Sequence, residues 1–272
     1  FWAYVAGRWG DGVIRPMLDI GARAGDPRIA IQQVLGVAPE QVSADWHAAI
    51  RAAYAPALSA ATPPSEVGTA VAKGDRFGGD LNVGPAISPD GRYIAYLSER
   101  SLLSIDLYVA DAATGKQLHK LTSTANDPHY SSLQFLASAG AWDADSRRLA
   151  IAIVTGGRPA IAIFDARRGD KEREIRLDTL DEIFNPTWSP DGRSMAFTGM
   201  TRGLTDLFTV SLETGEVRQL TSDPYADLQP AWSPDGTRIA FATDRFSSRL
   251  GVLDIGPYRL GLIDPQGGRV TQ

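Results

Sequence analysis

Short apolar runs bounded by turn-forming residues fill most of the chain, and they return at a regular spacing. Three near-identical islands read Ile87-Ser88-Pro89-Asp90-Gly91-Arg92, Trp188-Ser189-Pro190-Asp191-Gly192-Arg193 and Trp232-Ser233-Pro234-Asp235-Gly236-Thr237. A degenerate copy reads Trp142-Asp143-Ala144-Asp145-Ser146-Arg147. The residue after the aromatic or apolar position falls at 88, 143, 189 and 233, so the intervals are 55, 46 and 44 residues, the size of a four-stranded propeller blade. Proline presets the backbone at the first central turn position, aspartate bonds its own backbone, and glycine accepts a left-handed conformation, so each island predicts a hairpin. Short apolar strands follow at 93–97, 149–153, 194–198 and 238–242, each carrying an alanine where neighbouring blades crowd. Third strands are expected at 105–109, 160–164, 206–210 and 258–263, and fourth strands at 116–122, 172–177, 216–221 and 269–272. The fourth strands are the most charged, as edges should be. The pattern therefore predicts a mainly β fold with four four-stranded blades, at 84–129, 130–184, 185–227 and 228–272.

Residues 1–58 have a helical period instead. Asp26-Pro27 can cap and open a helix through Ile29, Ile31, Val34 and Leu35 that stops at Gly36. A second helix opens near Pro39, with Val42, Trp46, Ile50 and Tyr54 four apart on one face. Residues 59–83 form a linker rich in alanine, proline, serine and threonine at its start. Within it, Val67 to Lys73 is expected to run extended as the outer strand of a final blade, the usual closure of a propeller. Both termini read as interior positions of a longer polypeptide, so an incomplete ring is expected, completed by further chain or by a second chain.

Composition narrows the function classes. The net charge of -5 is the difference between 27 basic and 32 acidic side chains, and neither sign forms a block, which excludes binding driven by phosphate neutralisation, hence no nucleic acid. With no cysteine there are no disulfides, thiolate chemistry or cysteine-ligated zinc. No apolar run reaches about 18 residues, so no transmembrane helix is predicted.

The islands with their four-strand context resemble the TolB-like propeller family. Its repeats carry a Trp-Ser-Pro-Asp-Gly turn, an apolar strand ending near Phe, an Asp-x-Tyr-like third strand and a Gly-Glu turn leading to Leu-Thr. Residues 84–127, 185–227 and 228–272 follow that pattern well, and 130–184 loosely. The resemblance implies a ring of six or seven blades in all, and a noncatalytic interaction or scaffolding propeller with a protein or peptide partner, in the periplasm or outside the cell. Similar propellers also precede the hydrolase domain of prolyl-oligopeptidase-like serine peptidases, so an accessory propeller of a peptidase is the alternative. Phe1-Trp2-Ala3-Tyr4, Arg8-Trp9-Gly10, Pro27 to Gly36 and Asp45-Trp46 resemble the closing helices of a gluzincin-type, peptidase-MA-like domain. The chain has neither His-Glu-x-x-His nor Gly-x-Ser-x-Gly, so no zinc site, cofactor or catalytic set is predicted within it.

Of the three histidines, His47 lies beside Trp46 on a helix and His119 on an outer strand, both structural positions. His129 follows Asn126-Asp127-Pro128 in a connection between blades, and Ser222-Asp223-Pro224-Tyr225 is its counterpart one blade further on than the next. Asp127, His129, Tyr130, Asp223, Tyr225 and Asp227 are therefore the candidate contacts with a partner or with the central channel. Ser88, Ser189 and Ser233 occupy equivalent turn positions, so a turn role covers all three. The second unit departs from the others by the tract Gln134 to Gly140, read as repeat decay or a longer strand.

Overall fold

The computed structural model describes residues 1–72, 81–101, 104–127, 129–130, 132–133 and 140–272. They form two compact units, Phe1–Thr69 and Ala70–Gln272.

The first unit is helical: α1 (Trp2–Trp9), α2 (Ile14–Ala24), α3 (Pro27–Leu35), α4 (Pro39–Ala60) and α5 (Pro64–Val67). The Asp26 side chain accepts from the Arg28 amide at the start of α3, and Gly36 ends that helix with φ 67°. Val5, Met17, Ala30, Leu35 and Val42 form the core. The stripe on α4 is buried only at its start. Val42 is enclosed, whereas Ile50 and Tyr54 are 38% and 61% exposed, because the other core helices pack near the N-terminal part of α4. The expected closing strand is also corrected. Val67 ends α5, 68–72 lie outside any strand, and Lys73 falls outside the described residues.

The second unit holds four antiparallel sheets in chain order. Blade 1 comprises β1 (Asn82–Ile87), β2 (Tyr93–Ser101), β3 (Ser104–Asp111) and β4 (Gln117–Lys120). In blade 2 the inner strand is split into β5 (Ser132–Leu133) and β6 (Ala141–Trp142), followed by β7 (Arg148–Thr155), β8 (Arg158–Asp165) and β9 (Asp170–Arg176). The atypical tract, Gly140 apart, lies outside the described residues. Blade 3 comprises β10 (Glu182–Trp188), β11 (Ser194–Thr201), β12 (Leu204–Ser211) and β13 (Val217–Gln219). Blade 4 has β14 (Asp227–Trp232), β15 (Ile239–Thr243) and β16 (Arg259–Ile263), with its expected fourth strand reduced to the bridge between Leu262 and Thr271.

The turn chemistry is uniform. Ser88 Oγ donates to Asp90 Oδ1 at 2.6 Å and accepts from the Tyr93 amide, and Ser189 and Ser233 repeat both bonds. In blade 2, Asp143 replaces the serine and takes the amides of Arg147 and Arg148, while Ser146 stands where glycine should, at φ 54°. A second repeated device lies in the inner strands. The register shifts after Val83, Phe184 and Leu228, where Gly84, Asn185 and Gln229, each before a proline, take positive φ.

Alternation along the strands loads both faces of the middle blades with apolar side chains, as face-to-face stacking requires. One core cluster joins blades 1 and 2, another blades 2 and 3, and a third blades 3 and 4. Phe164, Phe197 and Phe241 are among the largest enclosed side chains, each contributing about 2–3 kcal/mol by removal from water.

Candidate functional site

The strand registers bring the inter-blade connections and the hairpins between second and third strands to one end of the unit. The start of β14, Asp227, pairs with Thr243 at the end of β15, which pairs with Arg259 at the start of β16. All six candidate contacts lie at or beside this connection end.

The connection out of blade 1 is held by Asp106, whose carboxylate accepts from the Thr124 amide at 2.8 Å and from the Thr122 and Thr124 hydroxyls. Asp127 accepts from the His129 amide, and His129 Nε2 lies 2.5 Å from Glu174 Oε2. Lys171 Nζ reaches the same oxygen at 2.9 Å and stands over the Tyr130 ring. Burial pushes the Glu174 carboxyl up, but the Lys171 and His129 bonds outweigh it and hold it below the ordinary range. Tyr130 is nearly enclosed in the core between blades 1 and 2, where burial raises its phenol.

The connection out of blade 3 is built differently. Arg245 places one guanidinium nitrogen 2.8 Å from Asp223 Oδ2 and another 2.6 Å from Asp227 Oδ2, with its cation 5.7 Å from the Tyr225 ring centroid. Asp227 is fully buried, and its burial raises its carboxyl despite the Thr243 and Arg245 partners. Asp206 is the repeat equivalent of Asp106, yet the two are displaced in opposite directions. In blade 1, burial raises Asp106, but the Lys120 ammonium at 2.8 Å, the Thr124 amide and the Ser104 hydroxyl bring it below the usual carboxylate range. In blade 3, Gln219 stands where Lys120 would and donates only a neutral amide, at 3.1 Å; burial, aided by the charges of Asp227 and Asp223, pushes Asp206 up.

The structure therefore divides the candidates. Tyr130 is enclosed in the core between blades 1 and 2 and Asp227 is enclosed against Arg245, whereas Asp127, His129, Asp223 and Tyr225 retain exposed surface. His129, Glu174 and the Thr155 hydroxyl lie together, but the hydroxyl is 3.4 Å from both ring nitrogens while Glu174 occupies Nε2. Equal distances put the hydroxyl on neither nitrogen's lone-pair axis, whereas a base that activates a hydroxyl points one nitrogen at it and the other at the acid. Among the described residues no group of three or more His, Asp or Glu could hold a metal ion.

One surface feature was missed by the motif reading. The connection between β15 and β16 spans 244–258, where the blade 3 hairpin needs only Arg202-Gly203. Asp244 anchors it, accepting from the Ser247 and Ser248 amides, the Ser248 hydroxyl and the Ala226 amide. Arg249 and Asp254 then exchange backbone bonds of 2.7 and 3.2 Å, close an ion pair, and hold a short turn with Leu253 at φ 54°. Val252, Leu253 and Ile255 are 70%, 86% and 66% exposed on this knuckle. The available signal was the long gap between Ala242 and the next strand near Tyr258.

Comparison with known proteins agrees with this architecture. Residues 136–249 match the family described as TolB beta propeller domain. A Tol-Pal system protein TolB from Anaeromyxobacter dehalogenans (strain 2CP-C) is 39% identical over 91 residues, 33% of this chain and 20% of that protein. The protein of the same name from Legionella pneumophila (strain Corby) is 33% identical over 69 residues, 25% of this chain and 16% of that protein. The matches thus cover a fifth or less of these relatives. The crystal structure of TolB from Acinetobacter baumannii superposes with a TM-score of 0.54 at 22% identity, over 70% of this chain and 43% of that one. The structure of putative TolB from Agrobacterium tumefaciens gives 0.56 at 21%, over 71% and 65%. These two likenesses concern the fold. The family match leaves residues 1–55 outside it, and the gluzincin-like reading of those helices has no support.

Proposed function

We propose that the blades form a noncatalytic protein-interaction module whose connection end receives a polypeptide partner. The observation that carries this reading is the knuckle at 249–255, where apolar side chains are presented to solvent on a backbone fixed by its own hydrogen bonds and ion pair. A prepaid ordering cost favours association, and exposed apolar residues rimmed by charge are suited to a partner's apolar surface. Asp127, His129, Asp223 and Tyr225 belong to the same end and supply its polar rim. The serines and acids that could suggest catalysis are occupied in turns and blade seams, and the likeness to TolB proteins agrees with a binding role. The same likeness supports a periplasmic or extracellular location, and no described helix is long and apolar enough to cross a membrane.

The reading extends to a ring larger than four blades. Among the described residues no core cluster joins blade 4 to blade 1, and Leu260 on blade 4 is 63% exposed. Further blades of the same polypeptide or a second chain would cover it. Sedimentation of the 272-residue chain separates these, a dimer supporting the second chain. For the binding role, a photo-crosslinking amino acid placed at Leu253 or Tyr225 in the host cell should yield a discrete protein adduct. Adducts absent at both positions, yet formed from blade-edge positions such as Arg173, would refute the assignment of this end.

A further inference from the structure

The seams between blades are built on a repeated tryptophan, and the third seam departs from the other two. At the first, Trp142 Nε1 donates to the Ala86 carbonyl at 2.9 Å and the Tyr93 ring stacks on the indole, 6.1 Å between centroids and 19° apart. At the second, Trp188 Nε1 donates to the Ala141 carbonyl at 2.9 Å and the Arg148 guanidinium lies 4.4 Å from the ring centroid. Tyr93 and Arg148 are the same repeat position, the residue beside the pairs Ile87–Ile94 and Trp142–Leu149. The pair Trp188–Met195 places Ser194 there in blade 3. Serine is too short to cover the indole of Trp232, and Trp232 Nε1 is buried without an acceptor.

Over this indole runs a two-lobed groove, at the turn end of the blades and so opposite to the knuckle. Its lobes, of about 180 and 320 Å³, share Ser194, Trp232, Pro265 and Gln266. The lobes lie around the lower end of the range of about 300–1,000 Å³ usual for small-molecule sites, a scale that one arginine side chain can occupy. Glu216 lines one lobe, Asp191 and Asp235 the other. Asp191 and Asp235 are held below the ordinary carboxylate range, by their turn serine hydroxyls first and then by turn amides, so both are ionised at neutral pH. Each spends Oδ1 on these turn bonds. The one cation in the lining, Arg218, is engaged by the Gln266 carbonyl oxygen and lies 3.8 Å from the Glu216 carboxylate, which leaves the lobe of Asp191 and Asp235 without a lining cation.

We propose that this groove binds a guanidinium group, the arginine side chain of a partner polypeptide, in the place that Arg148 fills one seam earlier. The guanidinium stacks on Trp232 and meets the Asp191 and Asp235 carboxylates, an arrangement in which planar arginine outperforms lysine. The site is independent of the knuckle and stands or falls without it.

The test is titration of N-acetyl-arginine amide, followed by the indole ¹H–¹⁵N signals, of which the chain has six, with Trp232 assigned through Trp232→Phe. The Trp232 signal should shift saturably, with N-acetyl-citrulline amide, the neutral near-isostere, weaker by roughly 5-fold or more. Ser194→Arg and Ser194→Tyr rebuild the cover seen at the other seams and should abolish the shift while leaving the Trp142 and Trp188 signals in place. An unmoved Trp232 signal, equal response to citrulline, or retained binding in whichever of the two variants folds would overturn the proposal.

Discussion

Replacing Lys120 by glutamine converts the blade 1 carboxylate site into the blade 3 version, and the cost can be worked from the two sites side by side. In blade 1 the Lys120 ammonium lies 2.8 Å from a fully buried Asp106 oxygen while its own side chain is 30% exposed. A hydrogen bond to a charged group contributes about 1.5–3 kcal/mol, and a neutral amide in its place recovers about 0.5–1.5 kcal/mol, so the net loss is about 1–2 kcal/mol. For a domain of this size that corresponds to a fall in Tm of roughly 2–8 °C. The pH dependence identifies the cause. Asp106 is held below the ordinary carboxylate value in the folded state, so its stabilisation is present above about pH 4 and is lost as pH falls through the folded value. The gap between wild type and Lys120→Gln, read by urea or thermal unfolding, should therefore be full at pH 7 and shrink steadily at acid pH. Asp206 behaves oppositely. Its raised folded value means that stability is greatest below about pH 4 and declines as pH rises through that value, and Gln219→Lys should remove the decline and raise Tm. A penalty for Lys120→Gln of equal size at pH 7 and pH 3 would show that lost packing, not charge, sets the cost, and the reasoning would fail.

Other outcomes follow from single contacts. Gln229 adopts φ 53° at the inner-strand bulge of blade 4, so Gln229→Gly should stabilise by about 0.5–1 kcal/mol, readable as a higher urea midpoint with unchanged slope. A Cβ on Gly199 would come within 2.7 Å of the Phe208 ring and 3.0 Å of Leu180, so Gly199→Ala should cost about 1–3 kcal/mol in the same assay. Leu253→Ser removes an 86% exposed side chain and should leave Tm within about 1 °C while abolishing the adduct formed from a crosslinker at Tyr225. A large Tm change in that variant would mean that the knuckle packs as part of the fold.

The sequence by itself determined the blades. Serine, proline, aspartate and glycine act through their own hydroxyl, ring, carboxylate and missing Cβ, so the turns are written locally, and strand alternation then dictates which side chains face the next blade. Local chemistry likewise delimited α3, through Asp26 and Gly36. What lay beyond it were effects set by neighbours distant in the chain. The apolar spacing of Ile50 and Tyr54 resembled a buried stripe, but burial depends on whether another element covers that part of α4, and no local signal carries this. Asp106 and Asp206 look alike in sequence, and the groups folded against them, Lys120 and Ser104 in one blade and Gln219 with the charges of Asp227 and Asp223 in the other, separate a stabilised carboxylate from a strained one. Asp227 and Tyr130 read as surface loop residues and became enclosed because Arg245, from the long β15–β16 connection, and Lys171, from β9, fold against them. The tryptophans, likewise equivalent as a motif, are made unequal by the side chain that the preceding blade brings to the seam: tyrosine, arginine or serine.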